Sequence, residues 1–64
     1  MDIAIEGMHS PACVRRVRLA LEGIEDLRVL EVTLGLAIVS GDPPAQAKAL
    51  EAVEKAGFRP HIAA

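Results

Sequence analysis

Residues 2–24 read DIAIEGMHSPACVRRVRLALEGI, and the hydrophobic period changes within this stretch. Ile3 and Ile5 alternate with less apolar neighbours, which is the pattern of a half-buried strand. From Pro11 onwards the large aliphatic residues recur at steps of three and four, as they do on one face of a helix. These residues are Val14, Val17, Leu21 and Ile24. The stretch therefore predicts a strand, a break at Gly7 and a helix that begins at Pro11.

Two strands joined by a tight turn follow the first helix. The segment after the helix is aliphatic and rich in β-branched residues, which favours a strand. Leu30, Val32 and Leu34 form one alternating set, so we expect them to share one face. Gly35 completes a turn with Leu34, and the chain then runs back as a third strand. The two predicted strands cover residues 27–32 and 36–40.

A second helix and a last strand complete the chain. Asp42 is suited to cap this helix, with Pro43 as its first residue. Gly57 is suited to end it. We expect the buried stripe to consist of Ala47, Leu50 and Val53, with Ala49 and Ala56 beside them. Residues 58–62 follow as a short strand, which Pro60 restricts to a sheet edge.

The predicted element order is βαββαβ in a single domain over residues 1–64. Right-handed crossovers place both helices on one face of a four-stranded antiparallel sheet. The fold class is therefore α+β, a ferredoxin-like sandwich. A chain of 64 residues has a thin stability margin. Its hydrophobic content of 52% is nevertheless enough for an aliphatic core.

Composition excludes several kinds of partner. The net charge is −2 and Phe58 is the only aromatic residue, so neither a basic footprint nor a base-stacking platform for nucleic acid exists. No apolar run reaches the length of about 18 residues that a membrane helix needs, so we expect no membrane insertion. A single cysteine is typical of a reducing compartment, which predicts a cytoplasmic location.

The loop between the first strand and the first helix carries the chemistry. Ser10 is a good N-cap and Pro11 a good first helical residue, which puts Cys13 at the third position of the helix. The helix dipole and the free amides favour an anion there, so the thiol should have a lowered pKa. His9 lies four residues earlier, where its imidazole could approach the same sulfur. Cys13 and His9 are therefore the candidate metal ligands.

Residues 7–13, GMHSPAC, resemble the G-M-x-C-x-x-C metal loop of the heavy-metal-associated domains. This family includes the small copper chaperones and the N-terminal domains of metal-transporting P-type ATPases. Residues 39–42, VSGD, and 56–58, AGF, resemble two further motifs of the family. The resemblance implies the same βαββαβ fold and a soft metal ion such as Cu(I). It also implies that Phe58 packs near the metal loop.

One departure from the family loop affects the metal site. Ser10 stands where the first ligand cysteine is expected, so only Cys13 carries over as a ligand, and Met8 carries over as a buried anchor. Cu(I) accepts two or three donors, so Cys13 with His9 is sufficient for it. Zinc prefers four ligands, so zinc or another soft metal is the alternative rather than the first choice.

The resemblance also suggests partners. A copper-chaperone-like domain delivers its ion to a metal-transporting P-type ATPase or another copper acceptor domain. Basic residues beside the loop would dock onto an acidic partner, and this chain has Arg15, Arg16 and Arg18 on the first helix. A second copy of the chain, joined through a metal or a disulfide, is a further candidate partner.

Two other functional classes compete with metal binding and transfer. A degenerate relative that keeps the fold without metal would act as a protein-docking or regulatory module. A thiol enzyme would need a base–acid pair or a resolving cysteine, and the sequence offers neither for Cys13. We therefore expect no enzymatic activity.

Overall fold

Four strands and two helices follow one another along the chain in the predicted order, βαββαβ. The computed structural model describes residues 1–63. Its elements are β1 (Asp2–Glu6), α1 (Pro11–Glu22), β2 (Leu27–Thr33), β3 (Leu36–Gly41), α2 (Pro43–Lys55) and β4 (Arg59–Ile62). The strands form one sheet in the order β2-β3-β1-β4, and every neighbouring pair is antiparallel. The predicted α+β ferredoxin-like architecture is confirmed.

The core lies between the sheet and the helices. Ile3 and Ile5 of β1 face it, as their alternation predicted. The largest side chains with no solvent contact come from β1, α1, β3 and α2, namely Ile3, Leu21, Val17, Val39 and Val53. Each contributes about 1.5–3 kcal/mol by leaving water. Aliphatic packing therefore holds the sheet and both helices together.

A bulge in β2 overturns the expected alternation of that strand. Val29 pairs with Val39 of β3, but the next pairing joins Glu31 to Ile38, so Leu30 is an extra residue. An extra residue shifts the faces of the strand on either side of it. Val32 is consequently buried, whereas Leu30 is 56% exposed. The prediction that Leu30, Val32 and the turn residue Leu34 share one face was therefore wrong.

The buried face of α2 also differs from the predicted stripe. Ala45, Ala49 and Val53 are buried at a spacing of four residues, whereas Ala47 is exposed. Two residues along a helix correspond to a rotation of about 200°, so Ala47 lies on the opposite side from its neighbours. The predicted contribution of Leu50 holds, since its side chain packs against the core.

The first helix ends two residues earlier than its hydrophobic spacing suggested. Glu22 is its last residue, and Gly23 follows in a right-handed conformation. Ile24 lies in the following turn, where its N–H donates to the carbonyl oxygen of Leu21 at 3.1 Å. Its side chain still packs against the core.

The second helix is followed by a glycine that turns the chain back towards the loop between β1 and α1. Gly57 has φ +100°, a conformation that side chains rarely adopt. Its N–H donates to the carbonyl of Glu54 at 3.0 Å, and the N–H of Phe58 donates to the carbonyl of Val53 at 3.2 Å. This pair of bonds is the Schellman motif. It directs Phe58 into the core immediately before β4.

Candidate metal centre

The loop between β1 and α1 is tied to the turn between β2 and β3. The N–H of Gly35 donates to the thioether sulfur of Met8 at 3.3 Å. The carbonyl of the same glycine accepts the N–H of Ile5 at 2.9 Å. Gly35 has φ +86°, which suits it to this turn. Met8 is half-buried and packs against the core, so it anchors the loop.

Cys13 lies in the first turn of α1. Its N–H donates to the carbonyl of Ser10 at 2.9 Å, and its side chain is half-buried against the core. Ser10 has the extended backbone of an N-cap (φ −154°, ψ 165°), as predicted, but its hydroxyl caps no helix amide. The hydroxyl instead donates to the sulfur of Cys13 at 3.7 Å. The residue that replaces the expected cysteine therefore contacts the remaining one.

The surroundings of Cys13 lower the pKa of its thiol below the ordinary value of 9.0. The backbone amide of His9 is the largest cause, followed by the Ser10 hydroxyl. The Ser10 amide and the charge of Arg16 act in the same direction, while partial burial opposes them. A thiol with a lowered pKa is a stronger metal ligand at neutral pH.

His9 is exposed at the tip of the loop. Its backbone amide acts on the Cys13 sulfur, but no hydrogen bond between its imidazole and that sulfur occurs in residues 1–63. Within the same residues, no group of three or more His, Cys, Asp or Glu side chains is placed to hold a metal. The donors at this loop are thus one thiol and one exposed imidazole, a set that suits an ion with few ligands.

Sequence reasoning missed the role of Arg16. The side chain donates to the carbonyl of Ala56 at 2.6 Å, and its guanidinium lies 5.1 Å from the centre of the Phe58 ring. Phe58 is only 6% exposed, and its edge lies against Gly7 at the start of the loop. The only signal in the sequence was the position of Arg16, three residues after Cys13.

A second polar cluster joins β1 to β4. Glu6 is paired with His61 through its carboxylate, and Arg59 lies 3.8 Å from the same carboxylate. All three side chains are more than half exposed, so the cluster contributes little to stability. His61 is exposed, and this contact directs it towards Glu6.

No helix within residues 1–63 has both the length and the apolar character needed to cross a membrane. Helix α1 covers 12 residues and α2 covers 13, each with a charged side.

The chain matches known proteins over nearly its whole length. Two solved structures are similar to it. One is a copper binding domain from HMA7, a P-type ATPase, with 29% identity over 100% of this chain and 92% of that chain, and a TM-score of 0.89. The other is the CopA C-terminal metal binding domain, with 34% identity over 92% of this chain and 81% of that chain, and a TM-score of 0.76. No curated protein sequence matches the chain significantly. The model of the heavy-metal-associated domain matches residues 2–59, and the chain therefore belongs to the heavy-metal-associated domain family.

Proposed function

We propose that this domain binds Cu(I) through the sulfur of Cys13, with the imidazole of His9 as the second donor, and passes the ion to a partner. The observation that carries the proposal is the placement of Cys13 in the first turn of α1, half-buried and with a lowered pKa. Family membership supports it. So do the similar structures, which are a copper binding domain and a metal binding domain.

The donors favour Cu(I) over zinc. Thiolate is a soft ligand that selects Cu(I) and similar ions, and imidazole suits copper as well. Structural zinc sites hold four protein ligands, and residues 1–63 contain no group of even three suitable side chains. The backbone amide of His9 already acts on the sulfur of Cys13, and the imidazole of His9 is exposed at the same loop.

The loop also suits transfer of the ion. His9, Pro11 and Ala12 are exposed around the half-buried thiol, so an incoming ligand can reach a metal held there. An ion with two ligands has room for a third, which allows ligand exchange with an acceptor. The acceptor we propose is a metal-transporting P-type ATPase or another copper acceptor domain. A reducing compartment such as the cytoplasm would keep the thiol free.

An anaerobic Cu(I) titration against a competing chelator tests the proposal. We expect Cys13→Ala to abolish competitive binding and His9→Ala to weaken it, while Ser40→Ala, an exposed serine remote in sequence, leaves it unchanged. X-ray absorption of the loaded wild-type protein should show one sulfur and one nitrogen. Equal affinity of the wild type and Cys13→Ala would overturn the proposal and leave a metal-free docking module as the function.

A further inference from the structure

Three groups stack between helix α1 and the start of the loop that carries Cys13. The guanidinium of Arg16 lies over the ring of Phe58, 5.1 Å from its centre. A second neighbour of the ring is Gly7, where a Cβ would lie 3.5 Å from Phe58 Cδ1. The cation, the ring and the loop backbone are therefore in consecutive contact.

The guanidinium is fixed by a second interaction at the end of α2. Arg16 Nη2 donates to the carbonyl oxygen of Ala56 at 2.6 Å. Ala56 is the C-cap of α2, where free carbonyls and the negative end of the helix dipole favour a cation. A charged donor makes this hydrogen bond stronger than one between neutral groups. Because Gly57 turns the chain immediately afterwards, the same contact also fixes the approach of Phe58.

The position of Arg16 along α1 places its charge near the metal ligand. Arg16 follows Cys13 by three residues, so the two side chains are neighbours on the helix surface. The other arginines of α1 differ in their contacts. Arg18 pairs with Glu22 at 3.9 Å, and within residues 1–63 the Arg15 side chain makes no salt bridge or side-chain hydrogen bond.

We propose that Arg16 is a positioning residue of the candidate metal centre, which holds the Phe58 ring against Gly7 at the start of the loop that carries Cys13. Its part in a metal centre rests on the proposed function, whereas the arrangement of the ring and the loop concerns the metal-free protein and is testable without a metal. A merely stabilising cross-link between the helices would affect unfolding but would leave the arrangement of the ring and the loop unchanged.

The test compares Arg16→Met, Arg16→Gln and Arg16→Lys with the matched control Arg15→Met, which removes one charge from the neighbouring exposed position. NMR of the metal-free variants reports the Gly7 amide and the Phe58 ring. We expect both signals to shift in Arg16→Met and to stay at their wild-type positions in Arg15→Met. Wild-type positions in Arg16→Met would overturn the positioning role.

Competitive Cu(I) titration of the same variants, under conditions where each is folded, tests whether this positioning affects the metal centre. We expect Arg16→Met to bind Cu(I) more weakly than the wild type, and Arg15→Met to bind it as the wild type does. Arg16→Lys, which keeps a charged hydrogen-bond donor, should lie between them. Equal affinities of Arg16→Met and Arg15→Met would overturn the link to the metal centre.

The two proposals fail in different ways. If the wild type and Cys13→Ala bind Cu(I) equally, the proposed function fails, whereas the NMR comparison still decides whether Arg16 positions Phe58. If Cys13 binds Cu(I) and every Arg16 variant matches the wild type, only the inference about Arg16 fails.

Discussion

The hydroxyl of Ser10 is turned towards the sulfur of Cys13 and not towards the free amides of the helix it precedes. A serine at this position has two possible uses. Its hydroxyl oxygen can accept a hydrogen bond from a helix amide, as a cap, or its hydroxyl hydrogen can be donated to a neighbouring anion. The sequence predicted the first use, because Ser10 before Pro11 is a common helix start. The structure shows the second. The choice depends on where the thiol lies in three dimensions, which residue order does not specify.

The contact between Ser10 and Cys13 leads to a prediction about thiol acidity. We expect Ser10→Ala to raise the pKa of Cys13 towards its ordinary value, because the variant removes a donor that stabilises the thiolate. The shift should be partial, since the backbone amide of His9, the larger cause, remains. The rate of alkylation by iodoacetamide as a function of pH measures it. The titration midpoint should move to higher pH, with slower reaction at pH 7. An unchanged midpoint, as expected for the control Ser40→Ala, would contradict this role of the hydroxyl.

A second prediction restores the soft donor that the family loop has at this position. Ser10→Cys should raise the affinity for Cu(I) by at least about tenfold, because a second thiolate is a far better Cu(I) ligand than a hydroxyl. Competitive titration under anaerobic conditions measures the gain. The same substitution in a Cys13→Ala background provides the control, since it leaves a single thiol and should show no such gain. An affinity that stays at the wild-type level would mean that the scaffold no longer presents a two-thiol site.

At the scale of elements, the order and type of the helices and strands could be predicted, whereas some buried faces could not. Periodicity and the glycines at positions 7, 35 and 57 mark the element boundaries directly. The exposure of Leu30 follows from an extra residue in the pairing of β2 with β3. A pairing register is a property of two strands together, and the sequence of β2 alone contains no sign of it. Ala47 was misassigned because alanines surround it, so the period of α2 is weakly defined.

The end of α2 provides a prediction about stability. Gly57→Ala should lower the free energy of unfolding by about 1–2 kcal/mol, because an L side chain is strained at a positive φ. Gly23→Ala is the matched control, since this glycine ends α1 with φ −78° and has room for a methyl group. It should be neutral or stabilise by up to about 1 kcal/mol. Urea unfolding followed by circular dichroism measures both. Equal effects of the two substitutions would show that the conformation at Gly57 carries no such strain.

At the scale of the whole molecule, the candidate metal centre is assembled from four separate parts of the chain. The loop provides Cys13 and His9, the turn after β2 ties down Met8, and α1 and the end of α2 hold Phe58. The ligand pair could be proposed from seven consecutive residues. The family resemblance also predicted Met8 as an anchor and Phe58 near the loop. The contact of Arg16 with Ala56 could not be predicted, because it spans 40 residues and depends on how the helices pack. The candidate ligands can therefore be predicted from the sequence, whereas long-range contacts that support them are seen only in the folded structure.

The last prediction concerns how many copies of the chain hold one ion. If Cys13 and His9 supply both donors, the Cu(I)-loaded wild type should remain a monomer with one ion per chain. His9→Ala leaves one sulfur, and in thiol-free buffer the best remaining donor is Cys13 of a second copy. We therefore expect the loaded variant to form a dimer with one ion per two chains, measured by anaerobic sedimentation equilibrium. The metal-free variant should stay monomeric, and a small thiol should dissociate the dimer by taking the second coordination position. A wild type that is already a metal-bridged dimer would show that His9 is not the second donor.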